Sequence, residues 1–134
     1  MRKLLPLILA GAALSAAAPG IAADRPSPDQ QLAHALEGRV AGDPVDCVNL
    51  PQVRSTQIIP GTAIIYDSGG TLYVNRPRSG AESLNQWDTM VTRLNTSRLC
   101  SIDTVEMVDR GSHMLSGIVF LGEFVPYRRT ANAH

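Results

Sequence analysis

The hydrophobic pattern of this chain changes character twice. Residues 4–18 form an apolar run broken only by Pro6, Gly11 and Ser15. Leu32, Leu36 and Val40 then recur every fourth residue, and from Val45 onward apolar residues alternate or sit in short runs between turn signals. Four-residue spacing makes one face of a helix, whereas alternation makes one face of a strand. The second stretch therefore predicts a helix over about 28–40. Ser27 can cap it, Pro28 suits its first position, Asp29 suits its dipole, and Gln30 completes a capping box. Gly38 or Gly42 can end it, and Pro44 bars its return. His34 lies off the apolar stripe and is expected in solvent.

The third pattern predicts a β region over about 45–127. Strands are expected at 46–50, carrying Cys47, and at 54–59, 62–66, 71–75, 104–108 and 117–121. Asp67-Ser68-Gly69-Gly70 joins two of them in a hairpin, with Leu72 and Val74 on one face of the second arm and Tyr73 on the other. Gly111-Ser112-His113 is a further turn. The stretch 81–94 supports two readings. Leu84, Trp87, Val91 and Leu94 fit helical spacing, but a short turn or helix to Gln86 followed by a strand from Thr89 to Leu94 is preferred. Phe124 and Tyr127 close the core before a polar tail at 128–134. One capped helix followed by many short strands predicts a mainly β domain: an antiparallel sheet or barrel-like domain of five to seven strands with one N-terminal helix. With Phe 2, Tyr 3 and Trp 1 in the chain, Trp87, Tyr66, Tyr73 and Tyr127 are expected in the core or at its edge.

The apolar start carries its own meaning. Arg2 and Lys3 precede the run, Pro19-Gly20 ends it, and Ile21-Ala22-Ala23 offers small residues to a peptidase. This is the three-part pattern of a secretory signal peptide over 1–23, with an uncleaved membrane anchor as the competing reading. Cleavage leaves a single domain, 24–134, with 10 basic and 12 acidic residues. A net charge of −2 argues against nucleic acid as a partner. No later segment is long and apolar enough to cross a membrane as a helix.

Cys47 and Cys100 are the only cysteines. Export to an oxidising compartment makes a disulfide between them the default. Two buried free thiols, a metal site or a nucleophilic cysteine compete with it. None of His34, His113 and His134 stands at a zinc-like spacing from either cysteine.

Catalytic signatures are missing: the chain has no G-x-S-x-G, phosphate loop, dinucleotide fingerprint or H-E-x-x-H. Asp103 could pair with Glu106 or Asp109 for acid–base work. Arg76, Arg78 and Arg93, with Arg98, could bind an anionic envelope component. Arg76, Arg78, Arg93 and Asp103 are thus the surface candidates. The plainer role of the arginines is pairing with Asp67, Asp88, Asp103 or Glu106 and solvation.

Several segments resemble a family of small exported alphaproteobacterial proteins of unknown function, common in sphingomonads. The likeness rests on Cys47-Val48-Asn49-Leu50, Arg54-Ser55-Thr56 and Gly61-Thr62-Ala63-Ile64-Ile65-Tyr66. It continues through Leu72-Tyr73-Val74-Asn75-Arg76-Pro77, Leu99-Cys100-Ser101-Ile102-Asp103 and Leu121-Gly122-Glu123-Phe124-Val125-Pro126-Tyr127. Family members often carry further cysteines, and this chain has only two. The resemblance implies a domain and a compartment, periplasmic or secreted, and no active-site residues. The expected function is a non-catalytic binding or structural module that meets an envelope component or protein and needs no cofactor. The alternative is a small periplasmic enzyme or an inhibitor of an envelope enzyme, which would gather Arg76, Arg93, Asp103 or Glu106 in one concave site.

Overall fold

The computed structural model describes residues 10–16 and 25–130. Most of the signal-peptide segment, and the tail from 131, lie outside the described residues. Residues 10–16 are exposed and hold no regular secondary structure.

Helix α1 (Pro28–Ala35) begins as the sequence predicts. The Gln30 amide donates to Ser27 Oγ at 3.2 Å, and the Ser27 amide donates to Gln30 Oε1 at 2.8 Å. These reciprocal bonds satisfy two of the donors that a helix start leaves open. The helix is shorter than the expected 28–40. Leu36 is its C-cap, Gly38 turns the chain at φ +73°, and Arg39–Ala41 forms strand β1. Leu32 is buried, but Val40, the third member of the stripe, is 57% exposed. Strand pairing with a distant segment, 124–129, overrides the local four-residue spacing there.

The remaining strands among the described residues are β2 (Cys47–Asn49), β3 (Ser55–Ile59), β4 (Ala63–Asp67), β5 (Thr71–Asn75), β6 (Thr89–Val91), β7 (Arg98–Cys100), β8 (Thr104–Val108), β9 (Leu115–Phe120) and β10 (Phe124–Arg129). All pairings are antiparallel. Three sheets result, with orders β1-β10-β5-β4-β3, β2-β7 and β6-β8-β9. Among the described residues the chain is therefore mainly β with one α-helix, but with ten strands rather than five to seven. The strands beyond those expected are β1, β7 and β10. The polar tail begins later than expected, because Arg128 and Arg129 belong to β10 and pair with Val40 and Arg39. Over 81–94 the chain makes a single 3-10 turn at Ala81–Ser83 and then β6, so the helical reading of that stretch fails. Trp87 is 70% exposed and takes no part in the core, contrary to expectation.

The five-stranded sheet is covered on both faces. One face packs Ile59, Ala63, Ile65, Leu72 and Val74 under Leu32 of α1. The other face supplies Ile64, Tyr66 and Phe124 to the main core, shared with Val48, Leu99, Val105, Met107 and Val119 from the smaller sheets. Tyr66 and Phe124 meet edge to face at 5.7 Å, and burial pushes the Tyr66 phenol well above the ordinary tyrosine range. Beyond β5 the chain crosses to β9: the Arg78 amide donates to the Phe120 carbonyl at 2.9 Å, and the Phe120 amide to the Ser79 carbonyl at 3.0 Å. The segment after β5 thus links the five-stranded sheet to the β6-β8-β9 sheet through the Ser79–Phe120 bridge, and β3 and β6 are outer strands of their two sheets.

Gly80 makes the crossing possible. Its φ is +81°, and a Cβ there would collide with the Ile118 carbonyl oxygen. Both the backbone conformation and the space exclude a side chain. Gly80→Ala is expected to cost about 3 kcal/mol, from left-handed strain plus overpacking, in a urea melt read by circular dichroism. A loss below about 1 kcal/mol would mean that the 78–84 segment is not held against β9.

Candidate functional site

The two cysteines are directly opposite one another in β2 and β7 and form a disulfide of S–S length 2.03 Å. The same ribbon buries Val48 and Leu99 in the main core. Asp46 and Asp103 flank it in structural roles. Asp46 accepts from the Ser101 hydroxyl, and Asp103 Oδ2 accepts from the Cys100 amide at 2.7 Å. Asp46 with the two sulfurs is the one group of metal-ligating residue types that lies close together among the described residues. Both sulfurs are committed to each other, so neither is a thiolate ligand.

The four surface candidates separate. Arg93 and Asp103, with Arg98, line a hollow of about 220 Å3 beside Cys100. Arg76 and Arg78 are not among its lining residues. Arg78 instead donates from Nε to the Leu121 carbonyl at 2.7 Å, and Arg76 is exposed. Of the carboxylates, Glu106 meets Arg93 at 3.6 Å, Asp103 holds the β7 turn, and Asp109 holds another turn. Each has its own partner, so no acid–base pair is assembled. Asp88 is not an arginine counter-ion either: it is 6% exposed and accepts from the Ser116 hydroxyl at 2.5 Å.

Asp88 belongs to a different place, the seam between the edges of two sheets. β3 and β6 each pair with one strand only and leave their other edges free. Between these edges lies a groove of about 400 Å3. Thr56, Gln57 and Ile58 line one side, Asp88, Thr89 and Met90 the other, and Gln86 and Arg110 complete it. A free strand edge presents unpaired N–H and C=O groups at alternate residues. Arg110 makes no ion pair among the described residues. Ser116, which holds the Asp88 carboxylate, is the extra residue of a bulge, since Met107 pairs with Gly117 while Val108 pairs with Leu115. A larger concavity of about 590 Å3, lined by Gln30, Gln31 and His34 of α1, shares Gln57 with the seam.

The β8–β9 connection shows how local chemistry fixes a turn near this groove. Asp109 Oδ1 accepts from the amides of Gly111 at 3.0 Å and Ser112 at 2.7 Å and from the Ser112 hydroxyl at 2.9 Å. Bonding from the Ser112 amide, then its hydroxyl, holds this carboxyl below the usual aspartate range. A depressed acid stabilises the fold above its unfolded-state value and loses that contribution as pH falls through its native value. The amides of Gly111 and Ser112 should therefore be protected from hydrogen exchange at neutral pH. Protection should fade only below the ordinary aspartate range, after correction for intrinsic rates. Fading at or above that range would contradict the turn chemistry.

Sequence reasoning named Cys47, Cys100, Arg93 and Asp103 but missed the seam. The alternation at 54–59 revealed a strand without revealing that its far edge is unpaired. No protein-family model, no curated protein and no solved structure matches the chain.

Proposed function

We propose that the chain is an exported, non-catalytic binding module of the cell envelope, periplasmic or secreted after cleavage of residues 1–23. Its working surface is the seam between β3 and β6. The carrying observation is that two unpaired strand edges face a common groove containing a buried carboxylate. A groove of this kind offers hydrogen-bonding groups to a ligand. The Cys47–Cys100 bond supports the exported part of the reading, because such bonds persist in oxidising compartments. Among the described residues no helix is long and apolar enough to cross a membrane. The motif likeness to the small exported alphaproteobacterial family supports the same compartment.

Expression of the full chain in a Gram-negative host tests the compartment. The periplasmic fraction should contain protein beginning at Asp24, or one residue earlier, with neither thiol reactive before reduction. Intact Met1 in the membrane fraction, or thiols that label without reductant, would overturn it.

A further inference from the structure

We propose that the seam accepts an extended peptide strand carrying a basic side chain, held by the free backbone edges of β3 and β6 and by the buried carboxylate of Asp88. The inference rests on the reading of the seam as the binding surface and adds the chemical class of what enters.

Three consecutive residues line each side of the groove. At a rise of about 3.3 Å per residue, they offer a short run of main-chain partners to an added strand. Side chains in a strand alternate, so the added strand must send every second residue inward. Ile58 and Met90 line the groove and pack against the main core, so part of its floor is apolar. Asp88 stands two residues from Met90 and supplies the polar part.

That carboxylate is the informative feature. It is 6% exposed, and its donor among the described residues is one neutral hydroxyl, that of Ser116. Only Oδ2 takes that bond; Oδ1 has no donor among the described residues and is not sealed from solvent, so it is open to a donor from the groove. A guanidinium or ammonium group on the incoming strand supplies charge-assisted donors. The pattern that fits is a basic residue two positions from an aliphatic one. Arg110 lines the same groove without an ion-pair partner among the described residues, and so favours an acidic residue elsewhere on the incoming strand.

The test uses the oxidised, exported protein as bait for a displayed library of random heptapeptides. Enriched peptides should carry Arg or Lys two positions from Val, Ile or Leu. A synthetic copy should alter the emission of Trp87, the single tryptophan, which directly precedes Asp88. Replacing its basic residue with Glu should weaken binding at least about tenfold, as should N-methylation of alternate peptide amides. Asp88→Asn should remove the preference for a basic residue. Should that variant misfold, the peptide series on the unaltered protein decides between the outcomes by itself. Enrichment without basic residues, no enrichment at all, or binding indifferent to N-methylation overturns the proposal. If the peptides fail while a cross-linker at Gln57 still captures an envelope partner, the binding-module reading survives and the strand ligand does not. If both fail, both readings fall.

Discussion

Cys47→Ala, Cys100→Ala and the double variant should each lose about 2–4 kcal/mol of stability relative to the oxidised protein. The bond joins residues 53 positions apart, and chain entropy alone assigns a loop of that size about 4 kcal/mol. The ribbon it fastens has only three residues per strand, too short to persist by its own hydrogen bonds. Val48 and Leu99 on that ribbon are 4% and 1% exposed. Loosening it therefore opens one wall of the main core. The three variants should behave alike, because each removes the same cross-link. Denaturant melts with and without reductant check this. Reductant should bring the native protein down to the level of the variants and leave the variants unmoved. Equal stability of native and variant proteins would contradict the structural role of the bond.

Asn75→Leu should cost a comparable amount, about 2–4 kcal/mol, although it replaces a polar residue with an apolar one inside the core. Asn75 is fully buried at the end of β5. Its Nδ2 donates to the Gly122 carbonyl at 2.7 Å, and its Oδ1 accepts from the Gly122 amide at 3.0 Å. The side chain thus imitates a strand and completes the pairing of the turn before β10. Leucine of similar volume would leave both backbone groups of Gly122 buried and unpaired, at about 1–3 kcal/mol each. Asn75→Asp should also destabilise near neutral pH, since it removes the donor and sets a carboxylate against a carbonyl. Its deficit should shrink as the pH falls and the carboxyl regains a proton. Urea melts of both variants at neutral and acid pH separate the two causes. A Leu variant as stable as the native chain would show that the Gly122 groups find other partners.

The parts of the fold legible in the sequence are those whose causes are local. The hairpin of β4 and β5 is one. Asp67 Oδ1 accepts from the Gly69 amide at 2.8 Å, Gly69 takes φ +86°, and the Ser68 amide donates to the Thr71 carbonyl at 2.9 Å. Every group in that turn belongs to the turn itself. The capping box of α1 is legible for the same reason. β1 is not, because what makes Arg39–Ala41 a strand is β10, and the Arg39 guanidinium reaches the Tyr127 carbonyl 88 positions away. The short strand β7 exists because β2 is opposite it. Asn75 resembled any other strand-ending residue until the turn at Gly122 stood beside it.

The candidate site was hidden by the same logic. Arg93 and Asp103 were visible as charges, yet each is engaged locally. The seam follows from sheet order, because β3 and β6 become edges only once every other strand is placed. Asp88 is held by Ser116, the extra residue of a bulge in β9, and a bulge in one strand leaves no mark on the spacing of another segment. Exposed Trp87 marked the neighbourhood, but in a chain so poor in aromatics its natural assignment was to the core.

Site-specific photo-cross-linking in the native envelope asks directly whether the seam between β3 and β6 is where the proposed partner binds. A photoreactive residue is placed in turn at Gln57 and Gln86 on the groove, and at Glu37 and Ile102 on exposed surface outside it. Gln57 and Gln86 should trap the same partner, Glu37 and Ile102 should not, and Asp88→Asn in the same chains should weaken the product. Trapping that is equal at all four positions, or confined to Glu37 or Ile102, would contradict it.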